Sequence, residues 1–206
     1  SKPHNRLLSW EDCYLFFQEH FAALATGKDE DLLTRAEFQL GLYLASFGMY
    51  RGSSDLLELH RSVYRPLIVA LCTAALENGV SDFKEITDHN IVVALAKKTK
   101  ESLQDLNISA TPTLISKILM GTFACLPSFD QNLRTAVENL KTNPKTKDLP
   151  HVQNLSFGPI QGVEAWLNFA NTNQFFFKKI SPHFKSADRS YPTMRVVDLY
   201  LWFSGK

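Results

Sequence analysis

Ser9-Trp10-Glu11-Asp12-Cys13-Tyr14-Leu15-Phe16-Phe17-Gln18-Glu19-His20-Phe21 places large apolar side chains at positions 10, 13, 14, 17 and 21. Steps of three and four bring such a series to one face of a helix, whereas a strand would need alternation at every second residue. Ser9, followed three residues later by Asp12, reads as a helix cap with acid in the first turn. The same period continues outward along the chain. Leu32, Leu33, Ala36, Leu40, Tyr43 and Leu44 predict a second helix from Asp31 to Phe47, stopped by the two glycines and two serines of positions 48–54. Val63 to Leu76 is apolar almost all round and is expected at the centre. A fourth helix runs from Thr87-Asp88 to Leu106, and Thr111-Pro112 opens a fifth with a capping hydroxyl and proline at its first position. Ser128 is expected to cap a sixth, from Phe129 to Leu140, and Gln161 to Lys179 and Met194 to Phe203 complete the set. No sustained period-two alternation occurs. The expected fold class is therefore all-α, a compact bundle of about eight helices with room for two helical subdomains around a cleft.

Length and composition agree with one domain over residues 1–206. The stretch 142–159, with three prolines, is the one long loop and the candidate hinge. Hydrophobic residues at 45% and charged residues at 21% exclude disorder, collagen-like structure and a disulfide scaffold as whole-chain descriptions. No apolar run approaches the roughly 20 residues of a membrane span, and the opening Ser1-Lys2-Pro3-His4-Asn5-Arg6 leads into an amphipathic segment instead of a signal sequence. Three cysteines, Cys13, Cys72 and Cys125, are odd in number and sit among apolar neighbours, so reduced thiols and a cytoplasmic location are expected. The net charge of +1 hides an asymmetry: residues 1–140 carry 13 basic and 17 acidic side chains, residues 141–206 carry 9 and 4. That cationic third could meet phosphate, although it is weaker than the footprint of a general DNA binder.

The chain lacks a phosphate loop ending in Lys-Ser/Thr, a G-x-G-x-x-G, an H-E-x-x-H and a C-x-x-C. Its six histidines never fall three or four apart on a predicted helix, so neither metal nor cofactor is expected. One segment is organised for chemistry: Thr111-Pro-Thr-Leu-Ile-Ser-Lys117-Ile-Leu-Met-Gly-Thr-Phe-Ala-Cys-Leu-Pro127-Ser-Phe-Asp130-Gln-Asn132. Lys117 is the only charge between Ile108 and Phe129. A lysine so placed either snorkels its ammonium to the surface or sits in a functional cavity, where a neutral amine could act as nucleophile. Asp130 lies at a helix start, where the dipole favours the carboxylate; it is either a plain cap or a partner of the lysine.

Ser116-Lys117, an apolar helix, Pro127 and then Asp130 resemble the catalytic segment of the helix-hairpin-helix DNA glycosylases, in particular the oxidised-guanine glycosylase-like branch. The likeness covers residues 111–132. The glycine-rich hairpin of that family is replaced here by Asn107-Ile108-Ser109-Ala110-Thr111-Pro112. The resemblance implies Lys117 as nucleophile and Asp130 as stabiliser of the developing cation or activator of water. The substrate would be DNA carrying a modified, flipped-out base, in repair or in phage defence.

Two further segments bear on a site. Gly48-Met49-Tyr50-Arg51-Gly52-Ser53-Ser54 is either a helix-ending turn or a polar loop. In the second reading Tyr50 stacks on a base while Arg51, Ser53 and Ser54 meet phosphate, and Asn132 joins this substrate-binding set. In Tyr191-Pro-Thr-Met-Arg195-Val-Val-Asp198-Leu-Tyr-Leu-Trp202, Arg195 and Asp198 are spaced to pair along one helix and the apolar residues supply core. Phe175-Phe176-Phe177-Lys178-Lys179 reads as an aromatic packing face. The leading expectation is a DNA glycosylase, a hydrolase with associated lyase activity. The alternative is a non-catalytic helical module, of interaction or immunity type, that binds a protein partner.

Overall fold

The computed structural model describes residues 5–52, 54–80, 86–142, 149–184 and 190–205. Among these the chain is helical with no strand: α1 Asn5–Ala25, α2 Glu30–Ser46, α3 Tyr64–Glu77, α4 His89–Asp105, α5 Pro112–Thr122, α6 Gln131–Thr142, α7 Val163–Thr172, α8 Gln174–Ile180 and α9 Thr193–Ser204. Short 3-10 turns lie at Asp55–Glu58, Arg61–Val63, Val152–Asn154 and Ser181–His183. The all-α class stands, with local differences. α1 begins before Ser9, whose hydroxyl accepts from Ser46 Oγ of α2 at 2.9 Å instead of capping a helix. The expected seventh helix is split at Asn173, whose side-chain amide donates to Phe169 O and, at 3.0 Å, to Pro150 O. The loop at 142–159 falls partly outside the described residues. Its second half carries buried Leu149, Val152 and Leu155, so this part is packed down.

Side chains at local boundaries explain where the helices start and stop. Asp29, Asp88 and Thr111 each accept backbone N–H groups as N-caps of α2, α4 and α5. At the end of α2, Gly48 takes φ +78°, its N–H bonds to Ala45 O at 2.9 Å, and the next N–H bonds to Leu44 O at 3.0 Å. α4 closes in the same way, with Asn107 at φ 56° in the left-handed position and the Ile108 N–H reaching Leu103 O at 2.8 Å.

The helices fall into two packed groups. α1 lies against α2, α3 and α5, and α4 against α3 and α5; α9 lies against α6, α7 and α8, and α7 also packs on α4, which joins the two groups. One continuous apolar core draws residues from both groups and includes Trp10, Phe17, Tyr43, Leu71, Leu95, Phe129, Trp166 and Val197. Across the seam the aromatic rings of Phe129 and Trp166 stack at 5.6 Å; within the first group Trp10 Nε1 donates to Met120 O at 2.8 Å. The three thiols are buried and free. Burial pushes Cys72 and Cys125 up to about 12.

Close approach of α2 and α5 depends on Gly121, where an added Cβ would lie 2.4 Å from the Tyr43 ring. Gly41, on α2, would bring its Cβ only to an ordinary 3.5 Å from Tyr64. Gly121→Ala should therefore lose about 1–3 kcal/mol through overpacking, while Gly41→Ala should gain up to about 1 kcal/mol through helix propensity. Urea midpoints of the two variants check this, and a stable Gly121→Ala protein would show that the Tyr43 ring is free to move.

Candidate active site

The segment between α5 and α6 runs through the interior. Residues 123–129 are buried throughout, with Ala124 in a left-handed conformation at φ 48°. A buried loop must pair its polar backbone groups. The Ser128 N–H donates to Asp198 Oδ1 of α9 at 2.7 Å, and the Phe129 N–H to Ser116 Oγ of α5 at 2.9 Å. The Phe129 carbonyl accepts from Thr113 Oγ1 at 2.9 Å and Arg134 Nε at 3.1 Å. The Ser128 carbonyl accepts the Asp130 N–H at 2.8 Å. Three helices thus fix the backbone that leads into Asp130.

Asp130, and not Ser128, caps α6: its Oδ1 accepts the Leu133 N–H at 3.1 Å. Its Oδ2 accepts from Lys117 Nζ, also at 3.1 Å. Both readings of this aspartate from sequence are therefore present in one carboxylate. The lysine does not snorkel. Its side chain is 2% exposed against 21% for Asp130, and its ammonium lies 4.8 Å above the Phe47 ring. The acid is the member of the pair that solvent reaches, through a narrow crevice bordered by Arg6, Phe47, Asp130, Arg195, Asp198 and Trp202.

Behind this pair stands a second one. Arg195 Nη1 donates to Asp198 Oδ2 at 2.6 Å, with both side chains buried, and the guanidinium lies 4.3 Å over the Trp10 ring. Arg195 Nε and Nη2 are buried with no hydrogen-bond partner among the described residues. Burial raises the Asp198 carboxyl above its ordinary value, Arg195 opposes that shift, and the charge of Asp130 adds to it. Arg195 and Asp198 do pair as their spacing predicts, yet spacing alone assigns them no place in a site. The signal was available in their neighbours: Met194, Val196, Val197 and Leu199 leave no polar face on which this pair could be solvated.

The other sequence-derived candidates lie elsewhere. Arg51 is exposed and folds back beside Gly48, whose hypothetical Cβ would sit 3.3 Å from the Arg51 Nε. It borders a cleft of about 290 Å³ together with Ser54, Asp55, Ser109 and Thr111. In this cleft Asp55 Oδ2 accepts the Ser109 N–H at 2.7 Å, which lowers the Asp55 carboxyl below its usual range. Ser54 Oγ donates to Met49 O at 2.6 Å and accepts from the Leu56 N–H, so it holds its own turn together. The Tyr50 hydroxyl is hydrogen-bonded to that of Tyr64, and burial raises the Tyr50 phenol. Ser53 lies outside the described residues. Asn132 is half-buried in the first turn of α6, where its carbonyl would meet a Cβ on Gly205 at 1.9 Å. Lys117 and Asp130 are thus brought together, while Arg51 and Ser54 line a different cleft, bordered by Gly48 and Met49 just beyond α2.

Among the described residues no group of three or more His, Cys, Asp or Glu is placed to hold a metal ion, and no helix is long and apolar enough to cross a membrane.

The unequal burial of Lys117 and Asp130 makes their loss unequal. Asp130→Ala leaves an ammonium buried without its anion and removes a cap, and should cost about 3–5 kcal/mol. Lys117→Met removes the buried charge at nearly constant volume and leaves a carboxylate that still has water and the Leu133 N–H; it should cost less than about 1.5 kcal/mol. Urea unfolding at pH 7 checks the order, and the reverse order would mean that the ammonium has another acceptor. Compared with protein-family models, with curated proteins and with solved structures, the chain matches none.

Proposed function

We propose that the chain is a DNA glycosylase acting on a modified base, with Lys117 as nucleophile and Asp130 as its acid–base partner. The observation that carries this reading is the contact of Lys117 Nζ with Asp130 Oδ2 at 3.1 Å, beside a crevice and at a helix N-terminus. Attack requires the ammonium to give up a proton first, and Asp130 is the acceptor it touches. The amine attacks C1′ of a flipped-out nucleotide. The C1′–N bond breaks, its electron pair leaves with the base, and the base takes up the proton held by Asp130, which becomes a carboxylate again. Opening of the sugar then gives a Schiff base at Nζ, from which strand cleavage follows. Asp130 faces the positive charge that develops on the sugar, in a geometry fixed before the substrate arrives. Phe47, over the ammonium, is the ring that must turn aside to admit C1′. Arg51 contributes a phosphate contact from the neighbouring cleft. Repair and phage defence are the settings in which excision of a modified base is useful.

Duplexes carrying a panel of modified bases, treated with alkali or with borohydride, test the reading. The wild-type chain should give abasic product and a trapped adduct on at least one duplex. Lys117→Met should abolish the adduct, and Asp130→Asn should keep DNA affinity while lowering turnover about 100-fold or more. Absence of product from every duplex would overturn the proposal. Arg51→Ala should weaken DNA binding by about 1.5–3 kcal/mol and reduce the salt slope by about one phosphate contact, with little change in melting temperature because the side chain is exposed. Unchanged affinity would remove Arg51 from the interface.

One observation favours the alternative, a helical module that binds a protein partner. Phe38 and Leu42, one turn apart on α2, are 51% and 63% exposed. Binding to DNA with a steep salt dependence supports the enzyme, and its absence supports the module.

A further inference from the structure

We propose that Asp198 is the positioning residue of the Lys117/Asp130 pair: it holds the Ser128 amide and so fixes where the Asp130 carboxylate points, while Arg195 holds Asp198. The carboxylate of Asp198 is divided between two duties, with Oδ1 on the Ser128 N–H at 2.7 Å and Oδ2 on Arg195 Nη1 at 2.6 Å. Ser128 is two residues before Asp130, and its carbonyl accepts the Asp130 N–H at 2.8 Å. The residue between them is held by Ser116, the neighbour of Lys117. One face of the Asp130 backbone is thus tied to the lysine's own helix and the other to α9. Arg195, 1% exposed and seated on the Trp10 ring, anchors the arrangement to α1.

A helix pair that merely satisfied itself would need no contact with the loop. Here a carboxylate of α9, which packs on the α6 that Asp130 caps, enters the loop that leads from the lysine's helix α5 to Asp130. A misplacement of about 1 Å in a reacting group lowers rate about 100-fold without loss of fold, so a tie of this kind belongs to a carboxylate whose position matters. The role as catalytic positioning rests on the glycosylase reading; the geometric role does not.

Two neutral double variants separate charge from tie. Asp198→Asn with Arg195→Gln keeps an oxygen for the Ser128 N–H, and Asp198→Leu with Arg195→Met removes it. The readouts are hydrogen exchange of the Ser128 amide, the ¹³C resonance of the Asp130 carboxyl and the ¹⁵N resonance of Lys117 Nζ, together with single-turnover excision and DNA affinity. The first variant should keep all of these near wild type. The second should remain helical, lose protection at Ser128, shift the Asp130 and Lys117 resonances, and excise about 100-fold more slowly at unchanged affinity. If Asp198→Leu does not fold, Asp198→Ala with Arg195→Met takes its place with the same expectation. A folded variant without the Ser128 tie whose Asp130 and Lys117 resonances match wild type overturns the proposal. Failure of the wild-type protein to act on any duplex overturns the glycosylase reading alone, and the resonances still decide the part played by Asp198.

Discussion

A loop that passes through the interior with its polar backbone intact is the constraint on which the rest depends. Residues 123–129 are buried, and the side chains that satisfy their backbone come from three helices. Thr113 and Ser116 come from α5, Arg134 from α6 and Asp198 from α9. To supply Asp198, α9 must dock closely on α6, which it does where Gly205 lies against the Asn132 carbonyl with no room for a Cβ. To bury Asp198, the same helix must supply Arg195, and to seat Arg195 the first helix must supply Trp10. The order of contacts thus runs from an unsatisfied amide to the meeting of the two helix groups.

The charges at this seam are costly for what they return in stability. Buried ion pairs rarely exceed the desolvation they incur, and apolar replacements of like volume are often as stable. Two pairs in one core, with two further guanidinium nitrogens lacking acceptors, make a poor solution if packing were the only demand. The pairs also differ in a way that packing does not require. Arg195 and Asp198 are almost fully buried, whereas the Asp130 side chain is 21% exposed with its lysine buried behind it.

Helices were legible in the sequence because an apolar face at 3.6-residue spacing must be buried, and caps such as Thr111 and Asp88 act within one turn of themselves. Local spacing misleads where a distant group intervenes. The spacing of Ser9 to Asp12 predicts a cap, but the helix continues through Ser9, whose hydroxyl meets Ser46 of α2. Position predicts Ser128 as the cap of α6, but its amide is claimed from α9 and the capping passes to Asp130. Lys117 and Asp130 could be singled out because a lone charge in an apolar run is visible in one dimension. The meeting of Asp198 with their loop could not be seen, since seventy residues separate it from Ser128 and local spacing offered it Arg195 as a sufficient partner.

The two clefts meet at the C-terminus of α2, and the geometry there sets what either can do. Phe47 closes the helix and covers the lysine; Gly48, in the left-handed conformation, turns the chain at once toward Arg51. A side chain at position 48 would meet strain at φ +78° and the Arg51 guanidinium together, so the turn fixes both neighbours. In the second cleft the Ser109 amide already has an anion, the Asp55 carboxylate, and an incoming phosphate would have to displace it or rely on Arg51. If a nucleic acid strand is the ligand, its sugar at Asp130 and its phosphate at Arg51 would be held in two clefts that border adjacent residues, Phe47 and Gly48, where α2 ends.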